Sequence, residues 1–290
     1  MGPAAATMPN GLDLHAVRRL VADGRAGLPA GAAVASVHDL TTPESGVRVR
    51  VYEPVGATPG LPPVVYLHGG GWVLCDIEDF DPLCRALAAG AGATVVNVGY
   101  RLAPEHPFPA PLDDAWEAVR WAAGSVSGTG ELVLMGDSAG GNLAAVCARR
   151  ARDAGGPAVV AQVLAYPMLD HRLDRPSHEA HADVAALTTA DVGWYWDQYL
   201  PDPAARDDPD AAPLLAPDLA GLPPAYLLLA SDDPLVDEGL AYAEALRAAG
   251  VDATAVAQPG TTHGFLSRVG TPAAAAGLRT VLDHLATLTP

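Results

Sequence analysis

The pentapeptide Gly136-Asp137-Ser138-Ala139-Gly140 stands directly after the apolar run ELVLM (131–135) and before GNLAAVCARRARD, a stretch of helical character. A glycine-x-serine-x-glycine string at a strand-to-helix junction forces a tight turn and lifts the serine hydroxyl clear of the backbone. The small flanking residues let neighbouring chain approach closely. Ser138 is therefore the candidate nucleophile, and the competing role for it is a plain helix N-cap. His68-Gly69-Gly70-Gly71 follows the strand-like PVVYL. Three glycines there leave backbone N–H groups free to converge on one cavity, as a tetrahedral oxyanion requires. The N–H groups of Gly70 and Gly71, joined by that of Ala139, are the candidate donors. His68, at the root of the glycine turn, reads as an anchor for the loop and not as a base.

A serine nucleophile needs a histidine base, and the base needs a carboxylate to fix its tautomer. For this topology both partners should follow the serine in the chain. Asp232 and Asp233 stand together after the apolar strand 225–230, and the residues alone leave the choice open. Of nine histidines, His15 and His284 fall on the first and last helices, His38 on a strand and His106 between prolines. His263, in the polar QPGTTHGF, is the base by elimination. His178 and His181 with Asp183, and His171 nearby, have the chemistry of metal ligands. Their spacing supplies no third ligand of fixed geometry, so a solvated face is expected and no metal is assigned.

These residues must be carried by a chain of 290 residues with 17 arginines, no lysine, 34 carboxylates and a net charge of −17. The missing lysine excludes a Walker phosphate loop, a Schiff-base lysine and a lysine general base. The 50% apolar content excludes disorder as a whole-chain state. The acidity argues against nucleic acid and against an anionic membrane surface as partners. Cys75, Cys84 and Cys147 are odd in number and lack CxxC spacing, which suits free thiols in a reducing compartment. The N-terminal MGPAAATMPN does not read as a secretory signal, and runs such as AYLLLA are too short to span a bilayer, so a cytoplasmic location is expected.

Period and punctuation predict a helix over 11–28 with Asp13 as N-cap, strands near 33–40 and 47–52, and disorder only in the first ten residues. Helices follow at 80–90, 111–123, 138–153, 237–249 and 272–286, interleaved with strands at 93–98, 131–135, 158–165, 225–230 and, short and weak, 251–257. Buried strands alternating with such helices predict a largely parallel sheet covered on both faces. Residues 170–221 break that rhythm with charged, proline-rich and aromatic sequence, and are too long for an ordinary connection; an inserted cap is expected. Within it, Tyr195 and Tyr199 share a helix face while Trp194 and Trp196 point elsewhere.

In combination, HGGGW (68–72), YRLAPEHPFPAPLDDA (100–115), GDSAGGNLAA (136–145), YPMLD (166–170), DPLVDEG (233–239) and HGF (263–265) resemble the bacterial hormone-sensitive-lipase family of α/β-hydrolase carboxylesterases. The resemblance runs from the hairpin region to the C-terminus. It implies one α/β-hydrolase domain over 1–290, with a mostly parallel eight-stranded sheet and a helical cap built from 1–40 and about 170–221. It implies a Ser138–Asp233–His263 triad, the acid being the first aspartate of DPLVDEG, and oxyanion donors at Gly70, Gly71 and Ala139. The implied activity is hydrolysis of short- to medium-chain carboxylic esters through an acyl-enzyme, without metal or other cofactor, by a monomer or homodimer. An amidase or N-deacetylase of a small metabolite would use the same triad, and a small-ligand receptor would keep the pocket without serine acylation. The chain departs from the family in an N-terminal cap segment shorter by a helix, and in VLCDIEDFD after HGGGW.

Overall fold

The strands β3 (Val64–Leu67), β4 (Val95–Gly99), β5 (Glu131–Asp137), β6 (Ala158–Ala165) and β7 (Ala225–Asp232) are buried on both faces except near their ends. That is the state their unbroken apolar runs require. They pair in parallel, while β2 (Arg48–Glu53) runs antiparallel to both β4 and β1 (Ser36–Thr41). With β8 (Ala253–Thr262) the eight-stranded sheet has the order β1-β2-β4-β3-β5-β6-β7-β8. The computed structural model describes residues 7–289.

Alternate side chains of the central strands feed two cores. Val64, Tyr66, Val133 and Met135 face α2 (Asp81–Ala91) and α8 (Pro272–Ala286). Val65, Leu67, Leu132 and Leu134 face α3 (Ala110–Ser125), α4 (Ala139–Ala154) and α7 (Val236–Ala248). Pro111 sits in the first turn of α3, where its missing N–H costs nothing. The HGGG and GDSAG segments leave the carboxyl ends of the adjacent strands β3 and β5, so pairing in the middle of the sheet brings them together.

Several sequence expectations change. Residues 1–6 lie outside the described residues, but 7–10 are ordered: Thr7 bridges Asp13, and Met8 is buried in the core. An apolar methionine with a place to go overrides the polar, glycine- and proline-rich surroundings that suggested disorder. The first helix is α1 (Leu14–Gly24), capped as expected by Asp13 accepting from Ala16 N–H at 3.0 Å, and a 3-10 turn takes up 25–27. Residues 36–40, assigned to the cap, belong to β1. The last strand is longer than 251–257 and delivers the chain directly to His263; as an edge strand it is half exposed, which blurred its period.

The 170–221 segment carries α5 (Pro176–Ala180) and α6 (Thr189–Tyr199), the latter opened by a Thr188–Asp191 capping box. Tyr195 and Tyr199 are both buried, and so is Trp196, which meets Trp72 at 4.6 Å. His178 is buried rather than on a solvated face, because α5 is tied down. Ser177 Oγ donates to the Pro234 carbonyl at 2.6 Å and Ser177 N–H to Asp237 Oδ2 at 2.8 Å.

Where β1 turns into β2, the buried Glu117 of α3 gathers the turn. Its carboxylate accepts from the Thr42 and Ser45 hydroxyls and from the N–H groups of Ser45 (3.0 Å) and Glu44 (3.2 Å). Burial pushes this carboxyl up, and the hydrogen bonds more than reverse it, leaving its pKa below the usual value. A carboxyl whose folded pKa is depressed stabilises above its unfolded pKa and stops doing so as pH falls through the folded one. Glu117→Ala should therefore cost about 1–3 kcal/mol of unfolding free energy at neutral pH. The deficit should shrink on acidification, as followed by urea denaturation across the carboxylate range; a pH-independent deficit would contradict the charged-acceptor account.

Candidate active site

Between β5 and α4 the chain turns at Ser138 with φ 53° and ψ −121°. A non-glycine residue held there costs on the order of 1–3 kcal/mol, so its surroundings must impose it. Ser138 N–H donates to the Ala165 carbonyl at 2.9 Å, and the Ser138 carbonyl accepts from Met168 N–H at 3.1 Å. A Cβ on Gly136 would overlap the Gly140 carbonyl, and one on Gly140 would overlap the Leu67 carbonyl. Both glycines of the motif are thus required by close backbone approach. The Ser138 side chain makes no helix-capping bond.

Instead, Ser138 Oγ lies 2.8 Å from His263 Nε2, and His263 Nδ1 lies 2.7 Å from Asp233 Oδ2. The bond to the carboxylate places the ring proton on Nδ1 and leaves Nε2 as the acceptor. Asp233 is fully buried at the head of the turn after β7, its Oδ1 accepting from Leu235 N–H at 2.9 Å. Asp232, one residue earlier on the strand, is exposed and reaches only Ser231 Oγ at 3.2 Å. Burial and the bond to His263 separate these neighbours, which decides a choice that composition left open. Ser138 and His263 are themselves only 6% and 9% exposed, so the reacting atoms sit in a nearly closed site.

The glycine loop passes beside this array. Gly70 and Gly71 have φ 116° and 61°. Among the described residues, no protein acceptor takes the N–H of Gly70, Gly71 or Ala139. Ala139 opens α4, where the first N–H groups of a helix have no internal partner. The structure therefore brings all six sequence-derived residues into one locality. His68 is stacked on Tyr100, centroids 4.3 Å apart, with Nδ1 2.8 Å from the Gly69 carbonyl. Burial lowers its pKa, as befits a neutral anchor.

Two further features escaped the sequence. A Cβ on Gly71 would run into the ring of Tyr195, so the α6 tyrosine lies directly over the glycine loop. Next to it, Trp72 stacks on Tyr199 with centroids 4.1 Å apart, joining the loop to the cap. On the inner side, Asp137 Oδ1 accepts from Tyr66 OH at 2.6 Å and from Gly69 N–H at 2.8 Å. Burial raises the Asp137 carboxyl to about 6, against these hydrogen bonds, which lower it. A carboxylate inside the apolar VLMGDSAG run was the available signal. Among the described residues no group of three or more His, Cys, Asp or Glu side chains is placed to hold a metal ion, and no helix is long and apolar enough to cross a membrane.

A family model described as the alpha/beta hydrolase fold matches residues 64–267. The carboxylesterase NlhH of Mycobacterium tuberculosis is 44% identical over 228 residues, spanning 76% of this chain and 72% of that protein. The esterase LipI of the same organism is 42% identical over 240 residues, spanning 80% and 75%. An esterase from Pyrobaculum calidifontis superposes with a TM-score of 0.90 at 38% identity, covering 98% of this chain and 95% of its own. The family match takes in β3 through β8 and every residue of the site just described, and the chain belongs to the alpha/beta hydrolase fold family.

Proposed function

We propose that the protein hydrolyses short- to medium-chain carboxylic esters as a member of the bacterial hormone-sensitive-lipase group, with Ser138 as nucleophile, His263 as base and Asp233 as the orienting acid. That it is a serine carboxylesterase follows from the Ser138–His263–Asp233 hydrogen-bond chain together with its esterase relatives. His263 Nε2 removes the Ser138 proton as Oγ attacks the acyl carbon, and Asp233 stabilises the charged ring. The N–H groups of Gly70, Gly71 and Ala139 receive the oxyanion, each worth on the order of 3 kcal/mol of barrier. The protonated ring then donates to the leaving alcohol, and water repeats the sequence on the acyl-enzyme.

In this reading residues 1–290 form one α/β-hydrolase domain, with its cap drawn from the segment before β1 and from 170–221. Support comes from the contact of α6 with the glycine loop. A cytoplasmic location would keep Cys75, Cys84 and Cys147 as free thiols. Neither nucleic acid nor a membrane is a partner, and the working unit is a monomer or homodimer.

Acyl length is limited by the cap. Each methylene gains about 0.8 kcal/mol only while it can be buried, and Tyr195 already fills the space above Gly71. With p-nitrophenyl esters kept monomeric, kcat/KM should peak between about C2 and C8 and fall by about C12. A serine-directed organophosphate should add to Ser138 alone, read by peptide mass analysis. A maximum at C12 or beyond would defeat the chain-length reading, and labelling of another serine would defeat the nucleophile.

Asp233→Asn should lower kcat far more than Asp232→Asn. A neutral amide at 233 can hold the ring in the wrong tautomer, a defect reaching ~10⁴-fold in a well-studied triad of another enzyme. Circular dichroism would confirm that both variants fold. The reverse ranking would remove Asp233 from the triad.

A further inference from the structure

Arg18, on α1, belongs neither to the triad nor to the oxyanion donors, yet its guanidinium reaches the glycine loop. Nε donates to the Val73 carbonyl at 2.9 Å and Nη2 to the Ala103 carbonyl at 2.7 Å. Nη1 and Nη2 grip the Glu105 carboxylate at 2.6 and 2.9 Å. The Arg18 hydrogen bond is the leading influence on the Glu105 carboxyl, which lies below its usual pKa. Glu105 thus stays ionised as a fixed counter-charge.

What matters is where the Val73 oxygen leads. A peptide unit is planar, with C=O and N–H pointing in opposite directions. The unit whose oxygen Arg18 holds ends in Leu74 N–H, and that N–H donates to the Gly70 carbonyl at 2.8 Å. The Gly70 carbonyl in turn belongs to the unit that ends in Gly71 N–H. The connection is continuous: guanidinium, Val73–Leu74 peptide, Gly70–Gly71 peptide, and then the N–H assigned to the oxyanion. Val73 N–H adds a second bond to the Gly70 carbonyl at 3.0 Å, and Ala103 N–H bonds the Trp72 carbonyl at 2.9 Å. The Leu74 carbonyl lies so close to Gly70 that a Cβ there would overlap it. These bonds hold the turn from within, and Arg18 holds it from α1.

We propose that Arg18 is a positioning residue for the oxyanion hole, acting through two peptide planes to aim and polarise the Gly71 N–H. A positive charge at the head of a hydrogen-bond chain polarises each successive member in the same sense, strengthening the last donor. The device also gives the short N-terminal cap segment a part in catalysis, since α1 supplies the charge. The inference rests on Gly71 being an oxyanion donor, as proposed above.

The test uses the full chain with p-nitrophenyl butyrate and a trifluoromethyl ketone, which forms a tetrahedral adduct with the active serine. Arg18→Met should lower kcat about tenfold or more, below the ~10²–10³ that follows loss of a whole donor, with KM little changed. Affinity for the ketone should fall in parallel with kcat. Arg18→Lys keeps the charge without the planar fork and should recover part of both, and it decides the matter if Arg18→Met does not fold. Arg19→Met, at the exposed next position of α1, serves as the control and should behave as the unmodified protein. A fall in Tm alone, with kcat and ketone affinity at their original values in the folded Arg18 variants, would overturn the proposal and leave the triad reading intact. Absence of a ketone adduct in the unmodified protein would instead bring down the oxyanion assignment itself.

Discussion

The site depends on one steric fact: the backbone of α4 touches the carboxyl end of β3. Gly140 lies against the Leu67 and His68 carbonyls with no room for a Cβ, and Gly136 lies likewise against Gly140. This contact fixes where the nucleophile turn stands relative to the glycine loop, and therefore where Ala139 N–H stands relative to those of Gly70 and Gly71. The strain at Ser138, on the order of 1–3 kcal/mol, is small beside what holds the helix in place. Leu143, Val146 and Cys147 of α4 are fully buried. A buried side chain of the size of Val or Leu contributes about 1.5–3 kcal/mol. Two such residues outweigh the strained turn, so the serine is presented by a helix that cannot retreat.

The glycine loop is held by contacts of different kinds on its different sides. Asp137 bonds Gly69 N–H from within the sheet, Trp72 is stacked on the cap's Tyr199, and Tyr195 covers Gly71. Glycines give the loop its freedom to adopt φ values of 116° and 61°, and these contacts remove the freedom again. Donors fixed before the substrate arrives need no reorganisation as charge develops, the condition under which oxyanion stabilisation is strongest. The cap's aromatic residues are part of what holds the glycine loop in that shape.

What the sequence disclosed, and what it did not, follows from the range of the interactions involved. Ser138 and the glycine turn at 69–71 were legible because strand-to-helix turns and glycine-rich turns are local features with a local signature. Most strands and helices were legible because apolar period is local as well, and β8 failed only where edge exposure weakened it. Asp233 could not be separated from Asp232 by the residues alone, since burial and the bond to His263 distinguish them. Arg18, 55 residues from the Val73 oxygen it holds, left no pattern at all. The burial of His178 was likewise set by the contact of Ser177 with Pro234, a tertiary accident with respect to the sequence around it.

Asp137 poses the sharpest electrostatic question, because it places a second carboxylate beside a reaction that generates negative charge. Burial is the dominant influence and raises it to about 6; the bonds from Tyr66 OH and Gly69 N–H, and the attraction of His263, keep it from rising further. Near neutral pH the group is mostly ionised. Its charge is drawn toward Oδ1, where both donors converge, and that atom faces the root of the glycine loop rather than its tip. The same carboxylate favours the imidazolium that forms when Ser138 loses its proton, since opposite charges attract across a site where water is scarce. Asp137 thus assists the positive half of the ion pair while its two donors blunt its effect on the negative half. The Gly69 bond meanwhile uses that charge to fix the glycine loop, so a residue that looks adverse by sign is favourable by geometry.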